Sequence, residues 1–207
     1  MTSFTDEVGA VERTVGRRTL AAGEARVSTV ARTYPTDVAD LWDACTRAER
    51  LARWFLPVHG ELRVGGRYRL EGNAEGVVES CDPPHAFSAT WEFGGTVSWI
   101  TVRFSAVDEG HARFVLEHLA HVDDELWTKF GPGATGIGWD LSLLGLARHL
   151  ADPDARFDSD AVSTSPQGRV FVAGAAAAWR DAAVADGDDP AAAAAAADRS
   201  REFYAPA

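Results

Sequence analysis

Residues 61–121 read ELRVGGRYRL EGNAEGVVES CDPPHAFSAT WEFGGTVSWI TVRFSAVDEG HARFVLEHLA H, with apolar side chains at every second position through one segment after another. Alternation at period two marks strands with one buried face. Turn residues punctuate the run: Gly65-Gly66, Asp82-Pro83-Pro84, Gly94-Gly95 and Asp108-Glu109-Gly110. The stretch therefore predicts an antiparallel meander with strands near 61–64, 67–72, 75–81, 86–93, 97–107 and 112–120, because strands joined by short turns pair antiparallel. Gly65-Gly66, lying between two alternating runs, predicts a tight hairpin, since primed turns need positive φ.

On the N-terminal side, Arg26–Tyr34 alternates in the same way and supplies a further strand, for about seven in all. Pro35 ends it. Thr36 or Asp37 can cap a helix in which Val38, Leu41, Trp42 and Cys45 share a face. Thr46 and Glu49 have capping-box spacing and restart a second short helix to about Arg53, followed by Trp54-Phe55-Leu56-Pro57. Residues 1–25 are polar and weakly periodic; they read as a mobile arm with a short strand near 14–20.

On the C-terminal side, residues 121–136 are polar and contain Gly131-Pro132-Gly133, which predicts a loop. The next segment, about Thr135 to Leu150, carries Trp139, Leu143, Leu146 and Leu150 on one stripe, so one face of a long helix must be buried. Residues 153–207 are alanine-rich. Ser165-Pro166 and Asp189-Pro190 are helix starts, and Val172, Ala175, Ala176, Trp179 and Ala183 form a stripe. A helical hairpin follows, packing back onto the domain or onto a second copy of the chain.

The bulk properties exclude several classes. A net charge of −11, with Lys129 the only lysine, argues against nucleic-acid or anionic-membrane surfaces, which require a basic stripe. No apolar run reaches the length of about 20 residues that spans a bilayer, so a cytoplasmic location is the default expectation. Cys45 and Cys81 lack CxxC spacing and read as isolated thiols. His118, His121, Asp123, Asp124 and Glu125 invite a metal reading, but residues three apart on a strand face opposite ways, so no metal is expected. Nucleophile-elbow, phosphate-loop and zinc-protease motifs are absent, and no cofactor is expected.

Taken in order, several pieces resemble the START-like (SRPBCC) superfamily, in the branch named for the carboxy-terminal domain of the activator of the Hsp90 ATPase. They are Leu41-Trp42-Asp43-Ala44-Cys45-Thr46 with Glu49-Arg50-Leu51, then Trp54-Phe55 and Pro57, Gly65-Gly66-Arg67-Tyr68, Gly76–Cys81 before Pro83-Pro84, and Leu116-Glu117-His118. The resemblance covers about Arg26 to Leu150. It implies an α+β helix-grip fold, in which a curved antiparallel sheet wraps the long C-terminal helix and encloses an apolar cavity. The organisation expected is thus an arm (1–25), a helix-grip domain (26–152) and a helical extension (153–207).

Such a cavity needs inward side chains. Alternation places Tyr68 with Leu70, Trp91 with Phe93, and Phe114 with Leu116 and His118. In 97–107, Val97, Trp99 and Thr101 form one row, while Ile100, Val102 and Phe104 form an equally apolar other; Trp99 is taken as inward because indoles often line cavities with the N–H meeting something polar. With the aromatic pair and the long helix, the candidate ligand-binding set is Trp54, Phe55, Tyr68, Trp91, Phe93, Trp99, Leu116, His118, Trp139 and Leu143. His118 is also the candidate acid–base residue.

Three functions follow. The architecture and seven tryptophans fit a module that binds a small apolar or amphipathic molecule. The resemblance also allows a polyketide cyclase/dehydrase-like enzyme using His118, and a chaperone-interaction module acting on an Hsp90-type ATPase.

Overall fold

The computed structural model describes residues 3–206. In chain order the helices are α1 (Phe4–Gly9), α2 (Val38–Thr46), α3 (Ala48–Trp54), α4 (Asp124–Phe130), α5 (Gly133–Ala151), α6 (Ser159–Thr164), α7 (Pro166–Ala185) and α8 (Pro190–Tyr204). The strands are β1 (Glu12–Leu20), β2 (Gly23–Tyr34), β3 (Val58–Gly60), β4 (Arg67–Leu70), β5 (Glu75–Asp82), β6 (Ala86–Phe93), β7 (Thr96–Asp108) and β8 (His111–Ala120). They form one eight-stranded sheet in the order β1-β2-β8-β7-β6-β5-β4-β3. From β3 to β8 every neighbouring pair is antiparallel and consecutive in sequence. This meander, with two short helices after the strand that joins its end and a long helix after its last strand, is the expected helix-grip arrangement.

Two details of the sheet differ from expectation. The strand expected at 61–64 is a loop, and β3 lies just before it. Within that loop Gly65 N–H donates to the carbonyl of Val78 at 2.8 Å, and a Cβ on Gly66 would meet the Glu61 carbonyl at 2.2 Å. The glycine pair serves a compact six-residue connection rather than a two-residue hairpin, because its backbone is pressed against its own start. The other difference is at the N-terminal side: residues 3–20, expected as a mobile arm with a short strand near 14–20, form a helix and a strand that begins at Glu12. Ser3 and Asp6 make a capping box on α1.

Of the two caps the sequence allows, Thr36 and Asp37, it is Asp37 that caps α2, through the amide of Asp40. The box expected at Thr46 and Glu49 does not form. Thr46 stands in the last turn of α2 and donates its hydroxyl to the Trp42 carbonyl at 2.7 Å, leaving Arg47 to begin α3 with no side-chain cap.

The chain divides into two compact units, with the divisions falling inside β2 and α5. One comprises Ala31–Ala120 with Gly145–Phe157; the other comprises the residues up to Val30, His121–Leu144, and those from Asp158 on. In the first, the sheet buries Ala89, Ile100, Val102, Phe104, Phe114 and Leu116, and α2 packs on β7 and β8. Trp42 meets Phe104 edge-on at 5.5 Å between ring centroids. Buried, the side chains of this size contribute about 1.5–3 kcal/mol each.

In the second unit the two predicted helix starts hold. Ser165 caps α7 and Asp189 caps α8, each with proline in the first turn. The stripe of Val172, Ala175, Ala176, Trp179 and Ala183 is buried together with Phe171. At its centre Asp140, fully buried, is gripped by Arg13, whose Nε donates to both carboxylate oxygens at 3.0 and 3.1 Å. Trp179 donates its indole N–H to the same carboxylate at 2.8 Å. The segment expected as a loop at 121–136 holds α4 and the first turn of α5. Its glycines are there for close approach: a Cβ on Gly136 would lie 2.2 Å from the Trp179 ring.

Candidate functional site

The meander register decides which side chains meet. Ala89 pairs with Ile100 and Trp91 with Ser98 across β6–β7, and Ile100 pairs with His118 across β7–β8. One face therefore carries Phe87, Ala89 and Trp91, then Ser98, Ile100, Val102 and Phe104, then Phe114, Leu116 and His118. Burial follows it: Ser98, Ile100, Val102 and Phe104 are buried, while Trp99 is half-buried and Val97 exposed.

Against this face α2, α3 and the chain after them leave a cavity of about 360 Å³. Trp42, Cys45, Thr46, Leu51 and Phe55 form the helical side, and Tyr68, Leu70, Val78, Phe87, Ala89, Trp91 and Ile100 the strand side. Leu62, 45% exposed, and the exposed Cys81 stand at its rim. The volume falls in the usual range for small-molecule sites, about 300–1,000 Å³.

The wall contains no charged side chain among the described residues. Its hydroxyls are already engaged: that of Tyr68 donates to the Thr90 carbonyl at 2.7 Å, and that of Thr46 to the Trp42 carbonyl. Burial, with the nearby Glu92 charge adding to it, pushes the Tyr68 phenol well above its ordinary range. Burial likewise pushes the Cys45 thiol far up, so it remains a protonated apolar group. The site offers shape, dispersion and aromatic faces, and no ion.

Of the residues singled out from sequence, Phe55, Tyr68 and Trp91 line this cavity. Trp54 lies beside Phe55 at 5.6 Å between rings, buried, with its indole N–H on the Ala44 carbonyl at 3.0 Å. Phe93 shares the Trp91 face but is 57% exposed at the strand end. Trp99 falls in the opposite row. Leu116 and His118 are buried on the inner face without lining the cavity, and Trp139 and Leu143, half-buried and buried, belong to α5 and do not line it either. The wall facing the sheet is thus the short helix pair rather than the long helix. The contributions of Trp42, Leu51 and Cys45 were hidden because a helix stripe looks the same whether it meets a core or a void.

His118 is a paired core histidine. Its Nε2 lies 2.8 Å from Ser98 Oγ, and that hydroxyl donates to the Trp91 carbonyl at 3.1 Å, so Nε2 carries the proton and donates. Burial lowers its pKa to about 4, and the imidazole is neutral at physiological pH. The acidic cluster beyond it disperses: His121 Nδ1 meets the Glu24 carbonyl at 3.0 Å, and Asp123 caps α4. Among the described residues, no three His, Cys, Asp or Glu side chains converge to hold a metal ion. No described helix is long and apolar enough to cross a membrane.

Comparison with known proteins places the fold. The family described as "Activator of Hsp90 ATPase homolog 1-like protein" matches residues 35–151, more than half of the chain. The chain belongs to this family. Among solved structures it is similar to CalU16 from Micromonospora echinospora. In its crystal structure the identity is 29%, covering 84% of this chain and 98% of that one with a TM-score of 0.65. In its solution NMR structure the identity is 28%, covering 86% and 97% with a TM-score of 0.70. These matches extend beyond the family segment, so CalU16 shares part of the flanking elements as well. Protein MLL2253 from Mesorhizobium loti, at 19% identity, 62% and 99% coverage and a TM-score of 0.55, shares the fold. No curated protein matches the chain.

Proposed function

We propose that this protein binds a small apolar or amphipathic molecule in the cavity between α2–α3 and the inner face of β4–β7. The observation that carries the reading is the wall itself: about 360 Å³ lined by Trp42, Phe55, Phe87 and Trp91, with every hydroxyl spent inside the protein. A charged ligand would lose its hydration there and gain no charged partner. An apolar one gains about 25 cal/mol for each Å² it removes from water.

Binding is better supported than catalysis. His118 sits behind the wall, donates to Ser98 and has a pKa near 4, which suits it poorly to proton transfer near neutral pH. Native mass spectrometry of the purified protein tests the reading. A bound molecule of a few hundred daltons, lost in Cys81→Trp, is the expected result; a wild-type protein that stays empty across a panel of uncharged aromatic and acyl compounds would sink it. Failure to stimulate an Hsp90-type ATPase would separate this chain from the activity in its family's name.

A further inference from the structure

A second void of about 180 Å³ lies wholly within the unit built from the two chain ends. Trp127 and Phe130 of α4 form one side, Trp179 of α7 another, and alanines of α7 and α8 the remainder. It shares no residue with the cavity under α2–α3 and does not depend on that reading.

The construction of α4 explains why the space persists. None of this helix's residues is buried, although two of its aromatic rings face the void. Apart from the edge-on contact of Phe130 with Phe203 at 6.1 Å, it is held by polar contacts at its edges. The Trp127 indole N–H donates to Asp188 at 2.8 Å, the Arg26 guanidinium stacks 4.3 Å from the same ring, and Arg199 donates to the carbonyls of Thr128 and Lys129. A helix docked by apolar packing closes the gap beneath itself, since interiors leave few voids larger than a water molecule. Here polar struts prop the helix over the gap, and the facing positions on α8 are Ala193 and Ala196, where any larger apolar residue would fill it.

The chemistry of the wall selects the occupant. Three charged residues border the void, and each already has a partner. Asp188 holds Trp127, Asp189 accepts from the amides of Ala191 and Ala192, and Arg180 donates to Asp181 at 2.8 Å. An ion would have to compete with those partners, whereas the Trp127 and Phe130 rings and the alanine methyls suit a flat apolar ring. A dry apolar cavity of about 150 Å³ is known to hold benzene, so a slightly larger one accommodates one ring or two fused rings.

We propose that this void is a second binding site, taking a small uncharged aromatic molecule against Trp127 and Phe130. The test is a ¹⁹F NMR titration of the full chain with 5-fluoroindole, with intermolecular NOEs measured on the complex. The expected result is saturable binding with NOEs to the Ala193 and Ala196 methyls. Ala193→Leu then weakens the affinity at least tenfold without lowering Tm, and Cys81→Trp, which plugs the other cavity, leaves it unchanged. Absence of saturation, full affinity in Ala193→Leu, or loss in Cys81→Trp overturns the proposal. If Ala193→Leu fails to fold, the wild-type NOEs decide: contacts confined to Trp42, Phe87 or Trp91 overturn it, and contacts to the α8 methyls uphold it.

Discussion

The two units each bury a polar side chain at the centre, and they keep it in opposite states. In the sheet unit His118 is neutral and satisfied by Ser98. In the unit of chain ends Asp140 keeps an ion-pair partner, Arg13, with Trp179 completing its shell. A neutral group behind the wall adds no charge of its own to the neighbouring cavity and leaves it open to an apolar guest. An ion pair draws segments from three parts of the chain to one point. Polarity serves permissiveness in one case and specificity of assembly in the other.

The sharpest way to break the comparison is Arg13→Met. Leaving Asp140 buried without its cation should cost about 3–5 kcal/mol, read as a loss of Tm. Hydrogen exchange should rise in 1–30, 121–144 and 158–207 and hardly change in β5–β7. Arg13→Met with Asp140→Leu should recover much of the loss, because no charge is then stranded. Equal exchange throughout would mean the ion pair supports the whole molecule.

The pH dependence tests the other side. Because the folded pKa of His118 lies below the ordinary 6.5, the unfolded chain takes up a proton first as pH falls. Its contribution is complete above about pH 6.5, declines below, and levels off near pH 4, with a span of roughly 3 kcal/mol. His149 adds in the same direction: burial and then Arg50 lower its pKa, and its Nε2 accepts from Arg50 at 3.1 Å. In denaturant titrations between pH 4 and 7, His118→Gln should flatten the slope more than His149→Gln does.

Cys81→Trp addresses the cavity with a smaller effect on the fold. At an exposed rim position the change should stay within about 0.5 kcal/mol of wild type while abolishing ligand retention. Smaller still is the labelling experiment. In the native protein a maleimide should modify Cys81 and spare Cys45, whose thiol is buried and held protonated, and a ligand in the cavity should slow the Cys81 reaction.

Much of this architecture is legible in the residues. Alternation located β4 to β8, and Asp37, Ser165-Pro166 and Asp189-Pro190 announced α2, α7 and α8, because period and cap chemistry are local. What stayed hidden depends on partners distant in sequence. Both faces of β7 are apolar, so the choice of Ile100 over Trp99 for the inner row rests on pairing with Ala89 and His118. Gly136 reads as loop in isolation and as helix once Trp179 has to lie against it. The cavity wall on α2 was hidden for the same reason: Trp42 and Cys45 have core spacing whether the space opposite is filled or not.

The ion pair also sets an order of events during synthesis. Arg13 and Asp140 are separated by 127 positions, and Trp179 comes later still. Closing so long a loop is entropically slow, and the last helices cannot take part before they leave the ribosome. The meander, whose strands pair with immediate neighbours, is under no such constraint. Strands β1 and β2, neighbours in sequence and in the sheet, are free to pair early, but the Arg13 side chain must wait for the end of the chain to complete its buried pair.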